Sequence, residues 1–511
     1  MKLIVLDRQS LRFRRVVKAL ALFILGIALA GATELPFGGW LQIPILTLVW
    51  LTFCKSISQS VKKNFIAGMA FGLGYFITGL WWIYISLHDV GGMNAALSCA
   101  AIFLLAAYMG LYFSAACQSI FLFKHSRLKG LLLAAAWVAM EYLRGFLFTG
   151  FPWMGLAEAQ LNGPFAPIAT YFGGLSCTFL IIWSSWELTQ IKKNPYSSSL
   201  CIMGMIGVCQ LAGLWTFTKP IGEPLSVRLI QGNFAQSLKF NPRAIQDQIR
   251  YYDSEITAKS ADLIIIPETA LPWPQSNLPA GLIAYLQDFA NAHSSNILLG
   301  LIGELENSKG IQYTNRATGL SPDFPMYQYD KAHLVPFGEF IPLGFHWFVN
   351  AFHVPLSDFA HGGLDQAPFS IHRKGQEPIN AAITICYEDV FGDELAGRIR
   401  KSDPPANLLI NMTNLAWFGD SQAPAQQLRL SQLRSLETGL PSLRATNTGI
   451  TAVLGPNGVL QTQLPKFTQA TLQTQVQAYS GKTPYVIWGN IPILSISGLL
   501  LLFGFVRQRR F

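Results

Sequence analysis

Residues 379–394 read INAAITICYEDVFGDE. The first seven form a short continuous apolar run, the pattern of a strand buried on both faces. Cys386 stands where that run stops, and four acids follow it: Glu388, Asp389, Asp393 and Glu394. An inert core cysteine suits the strand but not the charges. A reactive thiol suits both, provided the chain also supplies a base and a cation.

Two neighbouring runs end in the same way. DLIIIPETA (262–270) leads into Glu268 and ANLLINMTN (406–414) into Asn414. Between the runs lie stretches of helical period, such as PRAIQDQIRYYDSEITAKS (242–260), FGDELAGRIRK (391–401) and APAQQLRLSQLRSLETG (423–439). YTNRATGL (313–320) and MYQYDKAHL (326–334) read as a hairpin pair, and SLRATNTGITAVLGPNGVL (442–460) as strands around Pro456-Asn457-Gly458. This alternation predicts a layered α/β domain with covered sheets. Ligands in such sheets bind beyond the carboxyl ends of the strands, so Glu268, Cys386 and Asn414 could converge there.

The rest of the chain differs in kind. The 511 residues of the whole chain are 51% hydrophobic and only 13% charged, too apolar for a single soluble globule. Apolar runs fall at about 16–32, 39–54, 65–87, 95–123, 130–148, 167–189, 199–217 and 486–506. Most approach the roughly 20 residues that cross a bilayer core. Lys and Arg gather before the first run, in alternate connections (Lys55, Lys62, Lys63; Lys124, Arg127, Lys129; Lys192, Lys193) and after the last (Arg507, Arg509, Arg510). The positive-inside rule then predicts eight helical spans with both ends cytoplasmic and the α/β domain outside. The expected division is 1–217 for helices one to seven, 218–485 for the soluble domain, and 486–511 for helix eight and a tail. The stretch RFRRVVKALALFILGIALAGA (12–32) also fits a cleavable signal peptide, which leaves the topology unchanged.

The net charge of +9 belongs to the membrane part, since residues 219–485 are slightly acidic. That argues against a nucleic-acid partner, which would need a basic patch on the soluble domain. Six of the seven cysteines (54, 99, 117, 177, 201, 209) lie in or beside the apolar runs, where cysteine acts as a small hydrophobe. Cys386 therefore has neither an intradomain disulfide partner nor a zinc cluster, and no metal or cofactor is expected. Glu268 and Glu339 are candidate bases for it and Lys331 a candidate cation. Lys331 and the Tyr387 amide could steady an oxyanion. A pairing with one of His293, His333, His346, His353, His361 or His372 stays open on residue chemistry alone. Glu141 and Arg144, three apart near the end of the fifth run, are expected to pair with each other.

IIIPETALPW (264–273), YDKAHLVPFGEFIPL (329–343), TICYEDVF (384–391), NLAWFGDS (414–421) and LRLSQLRSLETGLPSLRATNTGITAVLGPNG (428–458) occur in this order. Together they resemble the nitrilase, or carbon–nitrogen hydrolase, superfamily and, within it, the apolipoprotein N-acyltransferase family. QGNFAQSLKF (231–240) and LRGFLFTGFPWMGLAEAQ (143–160) extend the resemblance over nearly the whole chain. It implies an α-β-β-α sandwich beside about eight transmembrane helices, and a Glu-Lys-Cys triad. Glu268 would be the general base, Lys331 the oxyanion-stabilising cation and Cys386 the nucleophile. Glu339 would orient the lysine, with Tyr387 and Glu388 in support.

The implied reaction takes an acyl chain from a glycerophospholipid, typically sn-1 of phosphatidylethanolamine, onto Cys386 as a thioester. The chain then passes to the α-amino group of an S-diacylglyceryl-cysteine apolipoprotein. The implied setting is the bacterial inner membrane, with the catalytic domain periplasmic and the enzyme a monomer without cofactor. A membrane-tethered amidase, transferring to water, is the nearest alternative; a transporter with an outer binding domain is a more distant one. Leu415 stands where the family usually has Asp, Gln427 where His is common, and Phe240 where Trp is usual. The apolar segment 341–363 reads as a lid that touches lipid, and Asp389, Asp393 and Glu394 as the charged start of a helix.

Overall fold

Long apolar runs satisfy their polar backbone internally by folding as helices, and one of two compact units consists mainly of them. The computed structural model describes residues 2–54, 60–123, 128–236, 241–307, 310–341 and 358–508. The helical unit takes in Met1–Tyr84, Asn94–Trp215 and Trp488–Phe511, and the second unit Ile85–Met93 and Thr216–Ile487.

In the helical unit, Phe13–Ala32, Ala95–Leu122, Pro195–Ala212 and Ile491–Gln508 are long and apolar enough to cross a membrane. Gly38–Cys54 is apolar but shorter. The remaining expected spans are helical over less than the predicted lengths. The third is Val61–Gly79, after which the chain turns at Leu80. The fifth is Lys129–Arg144, 16 residues or about 24 Å at 1.5 Å per residue. The sixth is reduced to Gly174–Gln190 by the break at Gly173, whose φ is 76°.

Glu141 and Arg144 do not pair as expected. Glu141 accepts from Thr178 Oγ1 at 3.2 Å, while Arg144 Nη1 donates to the Phe151 and Trp153 carbonyls and its guanidinium lies 5.4 Å from the Phe76 ring centre. The chain folding back over 151–153 supplies carbonyls that meet the cation first.

The second unit holds two sheets. The first runs β13 (Ala470–Gly481), β1 (Thr218–Gln231), β2 (Leu263–Ile265), β4 (Asn296–Asn307), β5 (Gly310–Leu320) and β6 (Tyr327–Asp330), with β3 (Leu271–Pro274) beside β4. The second runs β12 (Leu460–Gln463), β11 (Ala452–Leu454), β10 (Ser442–Thr446), β9 (Leu408–Thr413), β8 (Ile379–Ile385) and β7 (Phe369–Ile371). Strands β1, β2 and β4 are parallel, as are β8, β9 and β10. The antiparallel pairs include the expected β5–β6 hairpin and the β11–β12 pair.

Period-two alternation assigns each strand's residues to faces. Ile379, Ala381, Ile383 and Ile385 of β8 join Leu408, Ile410 and Met412 of β9 and Leu443 and Ala445 of β10 in one buried cluster. Leu225, Val227 and Leu229 of β1 with Leu263 and Ile265 of β2 complete it from the other sheet. The intervening residues face outward onto helices. Ile264 and Ile266 pack with Ile245, Ile249 and Tyr252 of Pro242–Ala258. Ala382 and Leu409 pack with Leu395 and Ile399 of Gly392–Lys401. Each fully buried side chain of this size contributes about 1.5–3 kcal/mol relative to exposure. The result is helix, sheet, sheet, helix, the sandwich the resemblance implies. Most of the proposed lid, 342–357, lies outside the described residues.

Candidate active site

Parallel strands end on the same side, and that brings the chemistry together. From the first sheet Glu268 follows β2 and Lys331 follows β6, and from the second Cys386 follows β8 and Asn414 follows β9. Three residues in the connections that follow these strands are bent. Thr269, Phe337 and Cys386 take φ of 47°, 60° and 53°, each a conformation that costs a non-glycine residue about 1–3 kcal/mol. Glu268 comes close to β4 only because position 300 is glycine. A Cβ there would collide with the Pro267 carbonyl and lie 2.9 Å from Glu268 Cα.

The carboxylates converge on Lys331. Its Nζ lies 2.9 Å from Glu339 Oε1, 2.8 Å from Glu339 Oε2 and 3.5 Å from Glu268 Oε1. Asn315, inside β5, donates through Nδ2 to Glu268 Oε1 at 2.7 Å and to Glu339 Oε1 at 2.8 Å, bridging the two acids. The Asn414 amide donates to Glu268 Oε2 at 2.7 Å and the Val335 amide to Glu339 Oε2 at 2.8 Å. Each carboxylate is thus aimed by a backbone N–H. Lys331 is only 1% exposed. Burial alone would push its pKa down, but the charges of Glu339 and Glu268 outweigh that and hold it above the ordinary lysine range. The ammonium is a fixed charge.

Cys386 is half-buried. Burial, and after it the Glu268 charge, pushes its thiol up to about 12, while Lys331 and a hydrogen bond with Thr413 act in the opposite direction. At neutral pH the group therefore rests as a thiol, so an attack needs a base to take the proton during the reaction. Among the described residues the charges that act on it include those of Glu268, Lys331 and Glu339. His333 is engaged elsewhere: it stacks on Phe391 at 3.6 Å and pairs with Glu394 at 3.3 Å. His346 and His353 lie outside the described residues.

Glu388 ties the cysteine turn to the lysine turn. It accepts from the Ile385 amide at 2.6 Å, the Ala332 amide at 2.8 Å and the Tyr329 hydroxyl at 2.9 Å. The residue after Lys331 and the residue before Cys386 thereby share one carboxylate. Tyr387 packs edge-on to Phe391 at 5.2 Å. Asp393 and Glu394 open the helix Gly392–Lys401 as expected, but Asp389 does not. It is 3% exposed and accepts from Thr384 Oγ1 at 2.8 Å, from Ser431 Oγ and from Arg444 Nη1. A buried cation claims it before the helix can.

Asn315, Asn411, Thr413, Asp389 and Arg444 were not anticipated from sequence. Four of the five share a readable signal: a polar residue interrupting a strand (GIQYTNRATGL, LLINMT, SLRAT). Asn411, Thr413 and Arg444 sit in strands buried throughout, where such a side chain must find a partner.

Family models match in two pieces: "Apolipoprotein N-acyltransferase N-terminal domain" over residues 25–186 and "Carbon-nitrogen hydrolase" over 207–485. An apolipoprotein N-acyltransferase from Ralstonia nicotianae is 39% identical over 92% of this chain and 90% of its own. One from Nitrosomonas europaea is 38% identical over 95% and 97%, and one from Chromobacterium violaceum 36% over 94% and 93%. A layered α/β unit with two carboxylates and a lysine gathered by a strand-end cysteine, and apolar helices elsewhere in the chain, accord with both models. The chain belongs to the apolipoprotein N-acyltransferase family, within the carbon–nitrogen hydrolases.

Proposed function

We propose that the chain moves a fatty acyl group from a glycerophospholipid, typically from sn-1 of phosphatidylethanolamine, to the α-amino group of an S-diacylglyceryl-cysteine apolipoprotein, in two half-reactions through Cys386. The observation that carries the reading is the meeting of Glu268, Lys331 and Glu339 with the field of all three acting on the one cysteine of this unit.

In the first half-reaction the thiol attacks the ester carbonyl as its proton passes to Glu268. The carbonyl oxygen becomes an oxyanion facing the Lys331 ammonium, which costs no reorganisation because its charge is already fixed. The C–O bond breaks, Glu268 returns the proton to the departing alkoxide, and a lysophospholipid leaves a thioester on Cys386. In the second, the acceptor amine attacks the thioester and gives a proton to Glu268. The C–S bond breaks and that proton restores the thiol. Dividing ester-to-amide exchange at a thioester makes each barrier lower than a direct transfer. Glu339 keeps Lys331 aimed and charged, and Glu388 keeps the cysteine and lysine turns in register, with Tyr387 packed beside them.

The setting we propose follows the distribution of Lys and Arg: eight spans with both ends cytoplasmic, 1–217 carrying seven and 486–511 the eighth. Residues 218–485 then stand on the periplasmic side of the bacterial inner membrane, as a monomer, where donor headgroup and acceptor amine both reach the interface. Intact mass spectrometry of the protein with phospholipid and no acceptor tests the chemistry. An acyl adduct on the wild type, absent from Cys386→Ala, is expected, and a diacylglyceryl lipopeptide should discharge it as an amide. An active protein whose Cys386 never gains mass overturns the mechanism, and discharge to free fatty acid alone makes the enzyme a hydrolase.

A further inference from the structure

Behind Cys386 lies a second polar cluster that takes no part in the proton transfers above. The left-handed conformation of Cys386, φ 53°, persists only where the surroundings over-determine it. The group held is its carbonyl. Gln427 Nε2, from the helix Ala423–Thr438, donates to that oxygen at 3.0 Å, and Asn411 Nδ2, from β9, at 3.4 Å. The same Gln427 nitrogen lies 3.9 Å from Sγ.

The other end of the Gln427 amide is also spoken for. Arg444 Nη2 donates to its Oε1 at 2.7 Å, so the amide has one orientation, with its nitrogen toward Cys386. Arg444 is fully buried. Its Nη1 reaches Ser431 Oγ at 2.8 Å, Asn411 Oδ1 at 3.0 Å and Asp389 Oδ2 at 3.5 Å. Asp389 in turn is gripped by Thr384 and Ser431. Strands β9 and β10, one helix and the turn after the cysteine thus meet at one cation. Stability alone is a poor reason for such a cluster, since a buried ion pair is often matched or bettered by apolar packing. A fixed direction for a hydrogen bond is something apolar packing cannot supply.

We infer that Gln427, clamped by Arg444, is a positioning residue: it pins the Cys386 carbonyl and so holds the backbone conformation that sets the thiol before Glu268 and Lys331. The inference rests on Cys386 being the acyl carrier, but one arm of its test does not.

That test uses the full-length protein in detergent with Gln427→Leu, Gln427→Glu and Gln427→His. Two quantities are read: kcat and KM for phospholipid with a lipopeptide acceptor, and the rate at which iodoacetamide alkylates Cys386, resolved by peptide mass. Gln427→Leu should lower kcat about 10²-fold, the scale of a displacement near 1 Å, and slow alkylation, with KM unchanged within about twofold. Gln427→Glu keeps an acceptor for Arg444 and the side-chain length but turns an oxygen toward the Cys386 carbonyl, so it should be as slow. Gln427→His, whose neutral ring has one donor and one acceptor, should recover most of both rates. If Gln427→Leu does not fold, Gln427→Met, which removes the donor without placing a charge by the thiol, takes its place with the same expectation. Wild-type kcat and alkylation in Gln427→Glu overturn the inference, as does a lower kcat with unaltered alkylation. A wild type that never forms the acyl adduct overturns the proposed function instead, and the alkylation rates still report on Gln427.

Discussion

Cys386 has a front and a back, and each is built from a carboxylate, a cation and an amide. In front stand Glu268, Glu339, Lys331 and Asn315; behind stand Asp389, Arg444, Gln427 and Asn411. The front cation has two carboxylates and sits where strands end, so a proton can move there without stranding the charge of Lys331. The back cation has one carboxylate at 3.5 Å and is otherwise held by neutral oxygens from one strand and a helix. In the proposed mechanism the same residue chemistry therefore serves proton transfer on one side and geometry on the other. What separates the roles is charge count and depth.

The front is where the largest effect should lie. Glu268→Gln keeps the size of the side chain and removes the proposed base, and acyl transfer should fall about 10²–10⁴-fold, the usual worth of a positioned general base. Alkylation of Cys386 should move the other way, because a negative neighbour that disfavours the thiolate has gone. A parallel fall in both rates in this variant, measured side by side with wild type, would erase the distinction between proton transfer and geometry.

The back should register as stability. Asp389→Asn leaves the buried Arg444 guanidinium without its carboxylate, and unpairing a buried ion costs about 3–5 kcal/mol, read as a lower unfolding midpoint of the detergent-solubilised protein. Glu339→Gln, by contrast, leaves Lys331 its second carboxylate and should move the midpoint far less. Equal losses from the two variants would mean that front and back differ in nothing but position.

Most of the front was legible in the sequence because its reacting groups stand at the visible ends of runs, Glu268 after LIII, Cys386 after AAITI and Lys331 after the hairpin, whereas Asn315, inside β5, was not. The back was not. Arg444 and Asn411 lie inside runs, where position does not say which of several buried partners a polar side chain meets. Sequence groups Asp389 with Asp393 and Glu394 as negative charge at a helix start, and only the β8–β9–β10 register reveals Arg444 beneath it. The sandwich was legible for a related reason, since period-two and helical patterns report which face is covered. Helix ends in the apolar part were not, because hydropathy is blind to the turns at Leu80 and Gly173. Glu141 and Arg144 show the limit of spacing as an argument: three residues apart, they were expected to meet, yet Thr178 and backbone carbonyls hold them.

A smaller effect probes how the front is aimed. Gly300→Ala would drive a Cβ into the Pro267 carbonyl, and overpacking of this kind costs about 1–3 kcal/mol. Relief requires the Pro267–Glu268 segment to move, so kcat should fall even though no reacting group has changed. Gly397→Ala, where a Cβ meets only the far end of Arg400 at 4.0 Å, is the matched control within a helix, and its kcat should equal that of wild type. Loss in both would assign the effect to general destabilisation rather than to the aim of Glu268.

The smallest expected effect is a displaced pH profile. With the thiol held up at about 12 by burial and by Glu268, thiolate is a minor form throughout the accessible range. Alkylation should therefore rise about tenfold per pH unit from pH 6 to 10 without a plateau, since the thiolate fraction does. The sign of each neighbour follows. Lys331→Met removes a cation that favours thiolate, so the profile shifts to higher pH and the rate at any fixed pH drops. Arg444→Met removes the back cation, which also feels the Cys386 charge, but from behind a layer of amides. Its electrostatic shift should have the same sign and be smaller. If Arg444→Met displaces the profile more than Lys331→Met in variants of equal unfolding midpoint, the back acts on the thiol through charge, and the division of labour drawn above fails at its weakest point.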